Sequence, residues 1–151
     1  AAALELTIEA GEFEGQPVNA TNSFVGHVQT VPGINAGEQI DLSVWARNNA
    51  SALTSDVEFR VEFFDGGGEV ARTQILLQDL LTDDYQQFTI SEVVPAGATS
   101  LNVVMALASF NQDVPHDSSV LFDDVSLSII PEPTSLLMAG LATLGMSARR
   151  R

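Results

Sequence analysis

The chain has 151 residues, and its 20 acidic and 6 basic side chains give a net charge of −14. It contains no cysteine and no lysine, which excludes disulfides, zinc–thiolate sites and cysteine nucleophiles. Up to residue 130, three arginines stand against nineteen carboxylates, a net of −16; a body this acidic repels nucleic acid and anionic lipid, so nucleic acid is not an expected partner.

The elements before residue 131 read as strands, because apolar residues recur every second position in runs bounded by Gly, Pro, Asn and Asp. Leu4, Leu6 and Ile8 open the first run, and Phe24 to Val31 form a second, closed by Pro32-Gly33. From Gln39 to Asn48, Ile40, Leu42, Val44 and Ala46 alternate with Asp41, Ser43, Trp45 and Arg47. From Asp56 to Asp65, Val57, Phe59, Val61 and Phe63 share one face, with Glu58, Arg60 and Glu62 on the other. Asp65-Gly66-Gly67-Gly68 is a hairpin signal, returning as a strand over Val70–Leu77. Residues 76–81 read as a loop or helical turn. Tyr85 to Val94 alternates again and ends at Pro95-Ala96-Gly97. Leu101, Val103, Met105 and Leu107 then share a strand face, 111–118 is a polar loop, and Ser119 to Ile130 closes the body. On the closing strand, two-residue alternation puts Leu121, Asp123, Val125 and Leu127 on one face, with Asp123 toward the core. About eight antiparallel strands with turns every 8–12 residues predict an all-β sandwich over 1–130.

Residues 131–151 differ in kind. Pro131-Glu132-Pro133 precedes an uncharged stretch from Thr134 to Ala148, and the chain closes on Arg149-Arg150-Arg151. A helix over those 15 residues rises roughly 22 Å, short of the ~30 Å hydrocarbon core. It suits a transient anchor, crossing with local bilayer thinning, and the terminal arginines favour the cytoplasmic side. The order Pro-Glu-Pro, apolar helix, Arg cluster resembles the PEP-CTERM sorting signal of exopolysaccharide-producing Gram-negative bacteria. That resemblance implies an exported protein, a short transmembrane-type helix held transiently in the inner membrane, and processing by an exosortase-type membrane protease before release to the cell surface or extracellular matrix.

The body carries a second resemblance. Gly11-Glu12-Phe13-Glu14-Gly15, Val28-Gln29-Thr30-Val31, the run from Gly37 to Arg47, Val94-Pro95-Ala96-Gly97-Ala98 and Leu121-Phe122-Asp123-Asp124-Val125-Ser126-Leu127 together resemble jelly-roll carbohydrate-binding modules of the galactose-binding-like type. The family resemblance implies a structural calcium ion held by Glu14, Asp123 and Asp124. It also implies sugar binding on a sheet face or at the edge loops. Trp45 and Arg47 share the face opposite Ile40, Leu42 and Val44; Glu58 and Arg60 of the next strand, with Gln87, extend that surface into a polar groove with one aromatic platform.

Catalysis finds little support in the residues. The two histidines, His27 and His116, lie far apart in sequence, and Glu58 and Glu62, four residues apart on one strand face, are roughly 13 Å from each other, too far for glycoside hydrolysis. Gly66-Gly67-Gly68 lacks the Lys-Ser/Thr of a phosphate loop. The expectation is a non-catalytic exported protein in contact with exopolysaccharide. The alternatives are a lectin with a defined glycan ligand and, more remotely, a small polysaccharide-active hydrolase.

Overall fold

The computed structural model describes residues 3–8, 12–13, 16–17, 22–49, 53, 55–110 and 118–131. In chain order the strands are β1 (Leu4–Ile8), β2 (Glu12–Phe13), β3 (Gln16–Pro17), β4 (Asn22–Pro32), β5 (Gln39–Asn48), β6 (Asp56–Phe64), β7 (Glu69–Leu76), β8 (Gln86–Val93), β9 (Ser100–Phe110) and β10 (Ser118–Ile130). Eight of them form two four-stranded antiparallel sheets, ordered β1-β10-β5-β8 and β4-β9-β6-β7, while β2 and β3 pair with each other. The expected all-β jelly-roll sandwich is the fold of the body. The helix expected over 134–148 lies outside the described residues, as do Pro133, Glu132, the terminal arginines and the polar loop 111–117.

Alternation explains why the two sheets close on each other. Ile40, Leu42, Val44 and Ala46 of β5 face Val57, Phe59, Val61 and Phe63 of β6 and Leu101, Val103, Met105 and Leu107 of β9 across one core. Each fully buried Leu, Ile, Val or Phe among them contributes roughly 1.5–3 kcal/mol of transfer free energy. β9 is also covered on its outer side, so Val104, Ala106 and Ala108 are buried there. Small residues fit at Ala106, because the Phe24 ring lies back across Gly26 toward it, within 3.1 Å of where a Cβ would stand.

Turns are set by local chemistry. Asp65 accepts the Gly67 and Gly68 N–H groups on Oδ1 at 2.7 and 2.9 Å, which closes the β6–β7 hairpin. Between β8 and β9 the Ala98 N–H returns to the Pro95 carbonyl with Gly97 at φ +90°, a type II geometry that needs glycine. Ahead of β5, Glu38 accepts from the Asn35 side chain and backbone, and these bonds hold its carboxyl below the usual range. Residues 77–81, open between loop and helical turn in the sequence, form the turn: Leu80 and Leu81 both donate to the Leu77 carbonyl.

The closing strand departs from simple alternation. Phe122 faces Ala46 and Asp123 faces Trp45, but the next paired residue is Ser126, opposite Ser43. Asp124 and Val125 therefore share the place of one residue opposite Val44, forming a bulge with Asp124 at φ +47°. The bulge switches parity: Val120 and Phe122 point inward before it, and Leu127 and Ile129 pack against the core after it. Asp123 consequently stands on the solvent side with Trp45, which corrects the inward placement expected from unbroken alternation. Its Oδ1 accepts the Asp124 N–H at 2.9 Å, satisfying the carboxylate locally. Asp tolerates the left-handed region, whereas a β-branched side chain does not. Asp124→Val is expected to cost about 1–3 kcal/mol, read as a lowered urea midpoint, while Asp124→Gly is expected to be tolerated.

Candidate functional site

The outer face of the β1-β10-β5-β8 sheet carries the most informative side chains. Across three neighbouring strands, Asp123, Trp45 and Gln87 stand in one register row. Trp45 is 39% exposed and Tyr85 38%. One register step beyond Trp45, the Arg47 guanidinium lies 5.4 Å from the centre of the Tyr85 ring, a cation–π distance. The sole tryptophan and sole tyrosine of the chain thus share one face. On the other side of Trp45 the face is hydroxyl-rich, with Ser43, Ser126 and Thr89 in the next row. After that come Asp41, Ser128 and Ser91, where the Ser91 hydroxyl donates to Asp41 Oδ1 at 2.6 Å.

Trp45, Arg47 and Gln87 are therefore brought together as expected, but Glu58 and Arg60 are not. They stand on the outer face of the other sheet, because the connection after β5 crosses the sandwich and the next strand in sequence is not the next in the sheet. There Arg60 is clamped between two carboxylates: its Nη1 contacts Glu58, and its Nε donates to Glu62 Oε1 at 2.8 Å. Asn102 bridges outward from this ladder, donating to Glu62 Oε2 at 3.5 Å and accepting from the Thr30 hydroxyl at 2.7 Å. The three charged side chains are largely shielded and neutralise one another, so the ladder offers few free groups to a ligand. It also ties Glu58 and Glu62 to one guanidinium, which leaves neither as a free general acid. On the neighbouring strand, bidentate hydrogen bonds from Arg72 hold Glu69 below its usual range and raise Arg72.

A cleft of about 250 Å³ opens between the sheets, lined by Leu4, His27, Met105, Phe122, Asp123 and Asp124 among others. A second of about 340 Å³ continues it past Gln29, Val103 and Val125 to Leu127. Beside it, β1 pairs with β10 from Leu4 opposite Phe122 to Ile8 opposite Ser118, and the later part of β10 pairs only with β5 among the described residues. His27 lies here, on β4; His116 is outside the described residues. Of the residues the family resemblance nominated for calcium, Glu14 is also outside them. Asp123 and Asp124 sit side by side at the bulge, and among the described residues no group of three or more potential ligands gathers.

Two further residues of the outer face leave a signal in the sequence. Tyr85 precedes Gln87 by two residues and so shares its side. Asp123 reaches the face only through the bulge, signalled in the sequence by the apolar residues changing from even to odd positions across Asp123-Asp124.

Comparison with known proteins bears on the tail and the fold. No curated protein matches the chain. Among solved structures, the sandwich is similar to the enzymatically active domain of bacteriophage CBA120 tailspike protein 4, with a TM-score of 0.55 and 16% identity over 85% of this chain and 18% of that one. It is similar to a "Family 16 Carbohydrate Binding Module-2" at TM-score 0.51 and 14% identity, covering 81% of this chain and 74% of that one. An arabinose-bound α-L-arabinofuranosidase gives TM-score 0.53 and 16% identity, covering 84% of this chain and 19% of that one. The chain thus spans under a fifth of the tailspike and of the arabinofuranosidase, and at these identities the likeness is one of fold. At the other end, residues 130–151 match the PEP-CTERM protein-sorting motif. The chain is a β-sandwich of carbohydrate-binding-module-like fold ending in a PEP-CTERM sorting motif.

Proposed function

We propose that this chain is a non-catalytic glycan-contacting module, sorted to the cell surface by its tail and held there against exopolysaccharide. The PEP-CTERM motif marks it for exosortase-dependent export and surface sorting. In this reading an exosortase-type membrane protease processes residues 131–151, the inner membrane is contacted only transiently, and residues 1–130 are the delivered domain.

The row Asp123–Trp45–Gln87 carries the glycan reading. A pyranose ring presents an apolar C–H face and equatorial hydroxyls. An exposed indole accepts the first by stacking, and a carboxylate on one side and an amide on the other accept and donate to the second. Tyr85 and Arg47 extend the platform to a neighbouring sugar unit. No metal or nucleophile is needed for such contact. Affinity electrophoresis of the protein through gels cast with a panel of polysaccharides tests it: retardation by one or more polymers, with no chain shortening, is expected. Free migration through every gel would sink the glycan reading, and a loss of polymer length would establish a hydrolase. Retention by a single polymer would distinguish a lectin with a defined ligand from a general matrix contact.

Calcium belongs to the same proposal, with Asp123 and Asp124 supplying two adjacent carboxylates and Glu14 a third. Hard oxygen donors suit the ion, which takes six to eight of them, so backbone carbonyls or water must complete the set. Added calcium is expected to raise the thermal midpoint and a chelator to reverse it. Asp123→Asn should abolish the calcium-dependent shift, and a midpoint indifferent to both reagents would exclude the ion.

A further inference from the structure

We infer that the glycan taken by the Trp45 face is an amino-sugar polymer, held by its charged amino groups as well as by ring stacking. This rests on the glycan reading above and narrows its substrate class. The first support is that no cation of the body is free. Up to residue 130 the chain has three arginines and no lysine, and each guanidinium is already engaged. Arg47 lies over the Tyr85 ring, and its Nη1 donates to the Asn48 carbonyl at 3.2 Å. Arg60 is held between Glu58 and Glu62, and Arg72 makes two bonds to Glu69. A uronate or a sulfate ester is ordinarily recognised by a guanidinium or ammonium group. This body has none to spare, and its net charge of −16 repels a polyanion as a whole.

The second support is what the row offers. Asp123 stands beside Trp45 across one backbone pairing, with Gln87 on the far side. Antiparallel partners lie about 4.5–5.5 Å apart at Cα, so an amino group on a sugar stacked over the indole comes within reach of the carboxylate. Asp123 accepts the Asp124 N–H at 2.9 Å, and that single local bond leaves most of the carboxylate's accepting capacity for a ligand. An ammonium gains most in this position. It makes a charge-assisted hydrogen bond to Asp123 and is attracted to the face of the indole. A neutral hydroxyl in the same place makes a weaker bond and draws nothing from the negative field. Four residues along β5 from Trp45, roughly 13 Å away, Asp41 repeats a carboxylate on the same face. The hydroxyls of Ser43, Thr89 and Ser126 lie between them. A polymer lying along the strand therefore meets a carboxylate twice, and more than one amino group can be held at once.

The test compares two sugars that differ only at nitrogen, glucosamine hexamer and its fully N-acetylated form. Each is titrated into the full-length protein in low salt at about pH 6, where the amines are protonated and the carboxylates ionised. Asp123 is also the candidate calcium ligand, so a chelator is present to keep the ion from competing. The charged hexamer is expected to bind about tenfold more tightly. Asp123→Asn should bring the two hexamers to within about twofold of each other. Its amide oxygen still accepts the Asp124 N–H, so the bulge and the thermal midpoint are kept. Equal affinity of both hexamers for the parent protein overturns the inference and leaves the glycan reading standing. So does retention by a neutral or uronate polymer when neither hexamer binds. A preference that survives Asp123→Asn, or affinity that spermine matches without a sugar ring, also overturns it, because the acidic body alone is then the attractant. Binding to no carbohydrate at all removes both readings together.

Discussion

Trp45→Ala is expected to weaken glycan binding by about 1–2 kcal/mol, roughly five- to thirtyfold in Kd, without lowering the thermal midpoint. The indole is well exposed on the outer face, and its neighbours in the row are polar. Truncation therefore opens no cavity in the core and leaves the Ile40–Leu42–Val44–Ala46 face in place. Stacking is lost while Gln87 can still donate to, and Asp123 accept from, the sugar hydroxyls, so the loss is partial. Trp45→Phe should recover part of it, since a smaller ring still stacks. Arg60→Ala, on the opposite face, is the control: it breaks the Glu58–Arg60–Glu62 ladder and lowers stability, with no change in affinity per folded molecule. Isothermal titration of the best-retained polysaccharide fragment measures both. Unchanged affinity in Trp45→Ala would move the binding face elsewhere, and a parallel loss in Arg60→Ala would move it to the other sheet.

The largest stability effect is expected from Phe59→Ala, at about 3–5 kcal/mol. Phe59 is wholly buried, sits on β6 between β7 and β9, and faces the other sheet across the core. Removing its ring forfeits transfer free energy and leaves a cavity that strands on both sides, held by their ladders, cannot close. Against a typical total of 5–15 kcal/mol for a domain, that loss consumes a large share. The urea midpoint should fall with the slope unchanged, and Phe59→Leu should cost much less. A Phe59→Ala protein as stable as the parent would mean that the two sheets do not pack as described.

Both effects trace to positions where period-two alternation could be read directly. Ile40 to Arg47 and Val57 to Phe63 show which residues point inward, and the structure agrees side chain by side chain, because β propensity, patterning and turn chemistry point the same way there. Gly97 and Asp65 likewise announced their turns through local bonding. The candidate site was legible in halves. Trp45, Arg47 and Gln87 were assigned to one surface and meet on it, while Glu58 and Arg60 were joined to them on the assumption that successive strands are spatial neighbours. In this sandwich most connections cross between sheets, so sequence adjacency placed two residues on the wrong side of the molecule.

Composition, alternation and the Pro-Glu-Pro tail are local properties, and they gave the all-β class, the inward faces of β5 and β6 and the sorting motif without reference to any contact. Sheet order and the parity switch at Asp123-Asp124 depend on which strands pair across large separations in sequence. No local preference encodes that pairing. It emerges only when two sheets bury one core together, and it is what turned Asp123 outward to Trp45 and carried Arg60 away from it.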